Sequence, residues 1–220
     1  MSQPPAPSDR PSSLPGERLV VVLAVPTPEP SPVPHVPAAR LEAALLADAV
    51  DAAESLAAAG IAVLCAPQHV DAVTAASAID TTVWTSERPT VLEAAERAGV
   101  AGARQVAVLA SDTPQLPGLL LGKLFRALAR SDIAICPDPR GLASAIGLRL
   151  PAAEWLGDID LDWTDVADRV IAEAPRRSLV RLTPGWPRLR SAADFAALDA
   201  AVEGADLTRA LLRDVRSRRS

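Results

Sequence analysis

Short apolar runs alternate with longer segments of helical periodicity along most of the chain. The runs are rich in Val, Ile and Ala, which is typical of strands that are buried on both faces of a sheet. They predict strands at Arg18–Ala24, Ile61–Cys65, Gln105–Ala110, Ile133–Cys136, Ala145–Leu150 and Leu179–Leu182. The segments between them predict helices at Ala38–Ala59, Thr90–Ala98, Leu116–Arg130, Thr164–Ala174 and Ala192–Val202.

This alternation predicts the fold class. Strands that are separated by helices form parallel sheets, and the connecting helices cover the two faces of the sheet. We therefore predict a three-layer α/β/α sandwich with a mostly parallel sheet over residues 17–203. The first four predicted strands should lie in one sheet.

Proline content and residue spacing set the limits of this domain. Residues 1–16 have almost no apolar content and are predicted to form a disordered arm rich in Pro and Ser. Residues 25–37 carry alternate prolines, which exclude a helix or a central strand and predict a loop. An Arg-rich C-terminal helix is predicted over 204–220, with Leu207, Leu211 and Val215 on one face. That helix either packs on the domain or binds a protein partner or an acidic surface.

Composition and charge exclude several classes of protein. No apolar stretch approaches the roughly 20 residues that a membrane span requires, so we expect no membrane span. The formal net charge of −5 argues against a general nucleic-acid-binding protein. Cys65 and Cys136 are too few to form a disulfide framework or a structural zinc site. The opening residues do not resemble a signal peptide, so we expect a cytoplasmic location with reduced cysteines.

Two segments resemble binding motifs but lack essential residues. Gly118–Leu124 is one residue too short between its glycines for a phosphate-binding loop, and it ends in Leu where magnesium requires a hydroxyl. We interpret Lys123 as a helix surface residue. Asp158–Asp162 resembles the start of a calcium loop, but Trp163 stands where the loop requires Gly. We interpret this segment as a solvated acidic turn.

The usual nucleophiles and bases are also poorly represented. The chain has two histidines, His35 and His69, and no serine in a nucleophile elbow, so a hydrolytic triad is not supported. Cys65 and Cys136 each end a predicted buried strand and are interpreted as small core residues. His69 follows the end of a strand, where ligands collect in open α/β sheets, but we interpret it as a loop residue.

Ser111, Asp112 and Thr113 form the segment most indicative of chemistry. They follow a buried strand directly and precede a helix, which places them at the carboxyl edge of the predicted sheet. At such an edge backbone donors bind phosphate and an aspartate can hold a divalent ion. The alternative is that Asp112 or Thr113 caps the next helix.

The order of several such segments resembles a known bacterial family. The strand followed by Ser-Asp-Thr-Pro, the segment DIAICPDPRG and the later AIGLRLP occur in the order of the domain-of-unknown-function family 2064. That family has a glycosyltransferase-A-type nucleotide-binding fold and is kin to the guanylyltransferases that make deazaflavin cofactors. The opening strand with its proline loop, the helix that follows, Trp163-Thr164 and Trp186 match further landmarks. The resemblance extends from about Arg18 to Val202.

The resemblance implies a ligand and a site. A nucleotide or nucleotide-sugar would lie over the carboxyl ends of the strands, with aspartates holding Mg²⁺ or Mn²⁺. Carried over to this chain, Asp112 would be the catalytic residue and metal contact, with Ser111 and Thr113 beside the nucleotide. The activity implied is glycosyl or nucleotidyl transfer.

Three departures from the family pattern change that expectation. The cationic loop after the first strand is replaced by the proline segment, and Arg140 stands in the region of a glycine-tyrosine turn. The second acidic pair of the family appears here as Arg188 and Arg190. A guanidinium has no acceptor atom and cannot ligate a cation, so we expect Arg140, Arg188 and Arg190 to bind phosphate in place of metal.

Two functional classes therefore remain open. The chain is either a divergent nucleotide-binding transferase with an atypical, metal-independent site, or a catalytically silent member of the family that acts as a structural or regulatory partner. The loss of the cationic loop favours the second interpretation. The retained Ser-Asp-Thr-Pro turn favours the first.

Overall fold

The computed structural model describes residues 17–56, 59–76, 81–198 and 204–217. The predicted arm over residues 1–16 lies outside this part of the chain. The strands are β1 (Arg18–Leu23), β2 (Gly60–Cys65), β3 (Thr82–Thr85), β4 (Gln105–Ala110), β5 (Ile133–Pro137), β6 (Ala143–Arg149) and β7 (Val180–Leu182). The α-helices are α1 (Ala38–Glu54), α2 (Val70–Ala76), α3 (Val91–Val100), α4 (Gly118–Ala127), α5 (Val166–Glu173), α6 (Ala192–Ala196) and α7 (Asp206–Ser217).

The seven strands form one sheet in the order β3-β2-β1-β4-β6-β5-β7. All neighbouring pairs are parallel except the two that involve β6, which runs antiparallel to β4 and to β5. The prediction of a single, mostly parallel sheet is confirmed. The direction of β6 follows from its connection, because the turn after β5 is too short for the crossover that a parallel partner needs.

Helices cover both faces of the sheet, which confirms the three layers. Alternate residues of β1 point to opposite faces, so Leu19 and Val21 pack with α3 and α5 while Val20 and Val22 pack with α1 and α4. All four side chains are buried, because a central parallel strand is covered on both sides. The carboxyl ends of the parallel neighbours β1 and β4 lie side by side at one edge of the sheet.

The C-terminal helix packs back on the domain. Asp48, a buried residue of α1, accepts hydrogen bonds from the backbone N–H groups of Leu207 and Thr208 at 3.0 and 2.8 Å and from the Thr208 hydroxyl at 2.6 Å. A carboxylate there satisfies donors that the first turn of a helix leaves free. Leu211 of α7 joins a third apolar cluster with the proline loop, whose buried members include Val33 and Val36.

Several predicted boundaries were wrong. The helix predicted over Ala38–Ala59 ends at Glu54, and Gly60 begins β2 instead of ending the helix. The helix predicted over Ala192–Val202 ends at Ala196, and residues 199–203 lie outside the described part of the chain. Helix α2 and the short strand β3 were not predicted. Among the described residues, no helix has the length and apolar character needed to cross a membrane.

Candidate functional site

Ser111 and Thr113 lie at the end of β4 and hold the edge of the sheet together. The Ser111 hydroxyl accepts a hydrogen bond from the backbone N–H of Val25 at 2.9 Å, which ties the start of the proline loop to β4. The Thr113 hydroxyl donates to the carbonyl of Ala110. Both residues are buried. In this conformation their side chains position the backbone and are not exposed to solvent.

Asp112 lies between them and pairs with Arg188. Nε and Nη2 of Arg188 donate to the two carboxylate oxygens of Asp112 at 2.7 and 3.0 Å, which is the bidentate geometry of the strongest protein ion pairs. The Arg188 side chain is 0% exposed, so none of its atoms is accessible to a ligand in this conformation. Asp112 and Arg188, which the sequence analysis names as separate site residues, thus contact each other directly.

The remaining donors of Arg188 meet three further oxygens. Nη1 donates to the carbonyls of Ala143 and Leu161 at 3.2 and 3.0 Å and lies 2.7 Å from Oδ1 of Asp162. The guanidinium is therefore enclosed by carboxylate and carbonyl oxygens. Carboxylate and carbonyl oxygens are also the ligand atoms that hard divalent cations prefer.

Asp162 is exposed, as expected for a solvated acidic turn, but it also takes part in the site, which that interpretation did not include. Its carboxylate contacts both Arg188 and Arg190, and its backbone N–H donates to the Asp160 side chain at 2.9 Å. Asp158 and Asp160 are exposed, as predicted. Arg190 also lies 3.7 Å from Oδ2 of Asp112, and its side chain is 22% exposed. Asp162 is the second carboxylate of the site.

Arg140 belongs to an adjoining network with Asp138 and Asp194, two residues that the sequence analysis did not identify. Its guanidinium donates to both oxygens of Asp138 at 3.0 Å, to Asp194 at 3.0 Å and to the carbonyl of Arg188 at 2.8 Å. Asp138 also accepts from the backbone N–H of Arg188 at 2.8 Å. Asp138 and Arg140 thereby fix the backbone that carries Arg188.

Local backbone features explain how the β5–β6 turn and the segment that carries Arg188 approach the edge of the sheet so closely. Gly141 has φ +89°, a conformation that favours glycine, and lets the chain turn between β5 and β6. A Cβ on Gly185 would lie 2.6 Å from the carbonyl of Pro137, so only glycine allows this approach. Ser191 and Asp194 then form a capping box at the start of α6. That Ser-x-x-Asp pattern was readable in the sequence and would have located Asp194.

The charges at this edge are almost balanced. Three guanidiniums, those of Arg140, Arg188 and Arg190, face the four carboxylates of Asp112, Asp138, Asp162 and Asp194, giving a formal sum of 3 − 4 = −1. Burial acts to lower the pKa of Arg188, but the two carboxylates outweigh burial and hold that pKa above its ordinary value. Arg188 is therefore a permanent cation.

The carboxyl groups of the site have pKa values that differ in direction. Burial raises the pKa of Asp112, and the charge and hydrogen bonds of Arg188 act against that rise. Burial also acts to raise the pKa of Asp162, but hydrogen bonds from Arg190 and the charge of Arg188 hold it below its ordinary value. The pKa of Asp138 is lowered in the same way, because hydrogen bonds from Arg140 and from the backbone of Arg188 outweigh burial.

The residues of this site do not fit a divalent cation in this arrangement. Both oxygens of Asp112 accept from Arg188, and Asp162 is shared between two arginines. In the described part of the chain, no three His, Cys, Asp or Glu side chains are grouped in a way that could hold a metal ion. The guanidinium of Arg188 occupies the centre of the oxygen ligands instead.

A cavity of about 120 Å³ lies beside the charged residues. It is lined by Leu23 at the end of β1, Thr90 and Val91 at the start of α3, and Asp158, Asp160 and Trp163. Ser111, Asp112 and Thr113 do not line it. A cavity of roughly 150 Å³ accommodates benzene, so this space suits one ring of a ligand and not a whole nucleotide.

The other residues considered in the sequence take no part in this site. Cys65 and Cys136 are free and buried, which confirms their interpretation as core residues. Burial raises the pKa of the Cys136 thiol to about 11, so it is not a ready nucleophile. Lys123 lies on α4, as predicted. His69 contacts Glu42 of α1 at 3.0 Å.

Comparison with known proteins identifies the fold. No protein-family model matches this chain, and no curated protein matches its sequence. A protein from Desulfovibrio desulfuricans G20 that is named as a nucleotide-diphospho-sugar transferase is similar with a TM-score of 0.65 at 17% identity, over 91% of this chain and 97% of that chain. The manganese complex of Rv0371c from Mycobacterium tuberculosis H37Rv has a TM-score of 0.53 at 20% identity, over 83% and 97%.

A third similar structure was solved with a nucleotide. CMP:2-keto-3-deoxy-manno-octonic acid synthetase complexed with CTP has a TM-score of 0.54 at 11% identity, over 83% of this chain and 97% of that chain. At these identities the similarity shows the fold alone. The chain has a nucleotide-diphospho-sugar transferase-like α/β fold, which confirms the glycosyltransferase-A-type fold that the sequence resemblance implied.

Proposed function

We propose that this protein is a divergent nucleotide- or nucleotide-sugar-binding transferase-like protein, related to the domain-of-unknown-function family 2064, whose site works without a divalent cation. The observation that carries the proposal is the position of Arg188. Its guanidinium lies between Asp112 and Asp162 and donates to carboxylate and carbonyl oxygens. It is a permanent cation among carboxylate and carbonyl oxygens, which are the ligand atoms that a divalent cation prefers.

In this proposal Arg188 neutralises the edge, and the more exposed arginines contact the ligand. The side chains of Arg140 and Arg190 are 41% and 22% exposed. Because the seven charges already sum to −1, a diphosphate binds only if one of these arginines exchanges a carboxylate for a phosphate oxygen. Guanidiniums form paired hydrogen bonds with either group, so the exchange conserves geometry. The cavity beside Trp163 would hold a ring of the same ligand.

The site residues then divide into two roles. Arg140 and Arg190 would orient the phosphates and stabilise the charge on a leaving diphosphate, which is the electrostatic part of glycosyl or nucleotidyl transfer. Ser111, Thr113 and Asp112 would hold the backbone and Arg188 in place. A divalent ion, where a related protein uses one, supplies the neutralising charge that Arg188 supplies here.

Titration calorimetry tests this proposal directly. Nucleoside diphosphates and nucleotide-sugars are titrated into the protein in EDTA and then in excess Mn²⁺. We expect at least one ligand to bind in EDTA, and we expect Mn²⁺ to change its affinity by no more than about twofold. The reason is that Arg188 already supplies the positive charge of the site. Binding that requires Mn²⁺ contradicts the proposal.

A pair of variants assigns the phosphate contact. Arg190→Ala removes a partly exposed guanidinium of the site, and we expect the affinity to fall by about tenfold or more. Arg213→Ala removes an exposed arginine of α7 and serves as the matched control. Equal affinities of the two variants would show that Arg190 does not contact the ligand.

One observation favours a second candidate function. Both oxygens of Asp112 and the hydroxyls of Ser111 and Thr113 are already hydrogen-bonded within the protein. A catalytically silent family member that acts as a structural or regulatory partner would have this arrangement. Failure of every nucleotide and nucleotide-sugar to bind, with or without Mn²⁺, would support this candidate. The cytoplasmic location remains a prediction from the sequence.

A further inference from the structure

A second concentration of cations lies along the β7 edge of the sheet, on the side of α4. It surrounds a groove of about 660 Å³, which is larger than the cavity of the candidate site. Helix α4 and the turn after it contribute Lys123, Arg126 and Arg130, and β7 contributes Arg181. Leu182, Thr183 and Pro184 complete the wall on the β7 side. We call this the α4–β7 groove.

The four cations of the groove have no ion-pair partner in the described part of the chain. The arginines of the candidate site differ, because each of them contacts a carboxylate. Arg126 and Arg130 lie near the C-terminus of α4, where the helix dipole favours positive charge. The dipole does not explain Lys123, which is on the middle turn of α4, or Arg181, which is on a strand. Four positive charges therefore converge on one groove, and the described residues that line it include no carboxylate.

The strand that borders the groove is also open to pairing. β7 is the last strand of the sheet and pairs only with β5, in parallel, so its outer backbone edge has no strand partner among the described residues. Leu182 on this strand is 50% exposed. An open strand edge binds an extended peptide through backbone hydrogen bonds, and neighbouring side chains select its sequence.

We propose that the α4–β7 groove binds an extended acidic segment of a partner protein, which adds to the sheet beside β7. The backbone of the segment would pair with β7, its acidic side chains would face Lys123, Arg126, Arg130 and Arg181, and an apolar side chain would cover Leu182. A second copy of this chain cannot bind there through its own β7, because the same four cations would oppose each other. A nucleic acid could match the charge but could not pair with the strand.

Fluorescence anisotropy with the full chain tests the proposal. The probe is a fluorescein-labelled peptide of about ten residues with alternating Glu and Val, at a salt concentration of about 50 mM. We expect saturable binding that is weakened about tenfold or more by the double variant Arg126→Glu/Arg181→Glu. The matched control, Arg88→Glu/Arg213→Glu, reverses two exposed arginines elsewhere and should change the affinity by no more than about twofold.

Two further probes separate strand addition from charge alone. Methylation of alternate backbone amides removes donors from one edge of the peptide, so one of the two methylation frames should weaken binding about tenfold and the other should not. Equal binding of both frames overturns the proposal. Tighter binding of single-stranded oligothymidylate of equal charge, lost in the same double variant, also overturns it. Circular dichroism establishes that both double variants are folded.

Discussion

The two groups of cations in this protein differ in how their charge is balanced. At the carboxyl edge of the sheet Arg188 is fully buried, and its guanidinium lies 2.7 Å from a carboxylate oxygen of Asp112. In the α4–β7 groove Arg126, Arg130 and Arg181 are exposed and lack ion pairs within the described residues. Burial of an unpaired charge costs on the order of several kcal/mol, whereas an exposed charge remains solvated. A buried arginine is therefore part of the structure, and an exposed cluster of arginines is available to a ligand.

The largest expected difference between the two groups is in stability. Arg188→Met removes the bidentate partner of the buried Asp112 and leaves Arg190 at 3.7 Å, and we expect the free energy of unfolding to fall by about 3–5 kcal/mol. The double variant Arg188→Met/Asp112→Leu removes both charges and should recover most of this loss. Arg181→Met, in the groove, should change the free energy by no more than about 0.5 kcal/mol. Urea denaturation measures all three, and similar values for Arg188→Met and Arg181→Met would contradict the comparison.

The next prediction concerns the oxygen atoms around Arg188. Arg188→Ala removes the buried cation shared by Asp112, Asp162 and the carbonyls of Ala143 and Leu161, and leaves Arg190 as a more distant partner of the two carboxylates. We expect Mn²⁺ to stabilise this variant by about 2–3 kcal/mol at a concentration near 100 times its dissociation constant. The wild-type protein should not respond.

Thermal melts with and without Mn²⁺ measure this effect. If Arg188→Ala unfolds in EDTA, recovery of the folded signal in Mn²⁺ reports the same binding. The matched control is Arg188→Ala/Asp112→Asn, which has one carboxylate fewer and should lose most of the response. An equal response in wild type would show that metal and Arg188 do not compete.

The pH dependence of stability follows from the lowered pKa values. Asp138 and Asp162 have pKa values below the ordinary 3.8, so the folded state binds fewer protons than the unfolded state in acid. The contribution of these two groups to stability is therefore complete above about pH 4 and is lost as the pH falls through their folded-state values. The raised pKa of Asp112 acts in the opposite direction, because the folded state then binds more protons at this group than the unfolded state does.

A variant of Asp138 tests the source of this dependence. We expect Asp138→Asn to make the slope of unfolding free energy against pH shallower below pH 4, by at most about 1.4 kcal/mol per pH unit for one proton. Asp158→Asn, an exposed aspartate outside the arginine network, should leave the slope unchanged. Equal slopes for Asp138→Asn and wild type between about pH 2 and pH 4 would contradict the prediction.

The smallest expected effect is repulsion within the groove. Arg181→Gln removes one of four unpaired cations and should raise the free energy of unfolding by about 0.2–0.5 kcal/mol at low salt. The gain should disappear near 1 M salt, where charges are screened within about 3 Å. Arg149→Gln breaks a surface pair with Asp132 and should lower stability at low salt instead. If both variants change the free energy of unfolding at low salt in the same direction, the predicted difference between paired and unpaired cations is wrong.

The parts of the fold that the sequence predicted are those with the most uniform environment. β1, β4 and β5 are buried on both faces, so their apolar runs stand out from the rest of the chain. β3 is a short strand at one end of the sheet order with half-buried and exposed residues, so it lacks the continuous apolar run that marks the central strands. The antiparallel direction of β6 was readable, because only residues 138–142 separate it from β5.

The candidate site was predicted less completely, because its contacts are between distant segments. Asp112, Arg188 and Arg190 were identified by position in the resemblance, but 76 residues separate Asp112 from Arg188 and no local pattern signals their pairing. Asp162 was assigned to a solvated turn because its partners lie elsewhere in the chain. The alternation of Arg188, Leu189 and Arg190 was the available signal: Leu189 is buried against the proline-loop cluster, and the two arginines face the carboxylates.

The attachment of α7 to Asp48 affects the order in which the protein can fold during synthesis. Asp48 and Thr208 are 160 residues apart, so at ribosomal rates the partner of Asp48 is made roughly 10–30 s after Asp48 itself. Until then α7 is not present to pack on α1, and Leu211 is not present to complete the apolar cluster with Val33 and Val36 of the proline loop. The sheet can assemble from the nascent chain first. We therefore expect the loop beside the candidate site to reach its final position only after α7 has emerged from the ribosome.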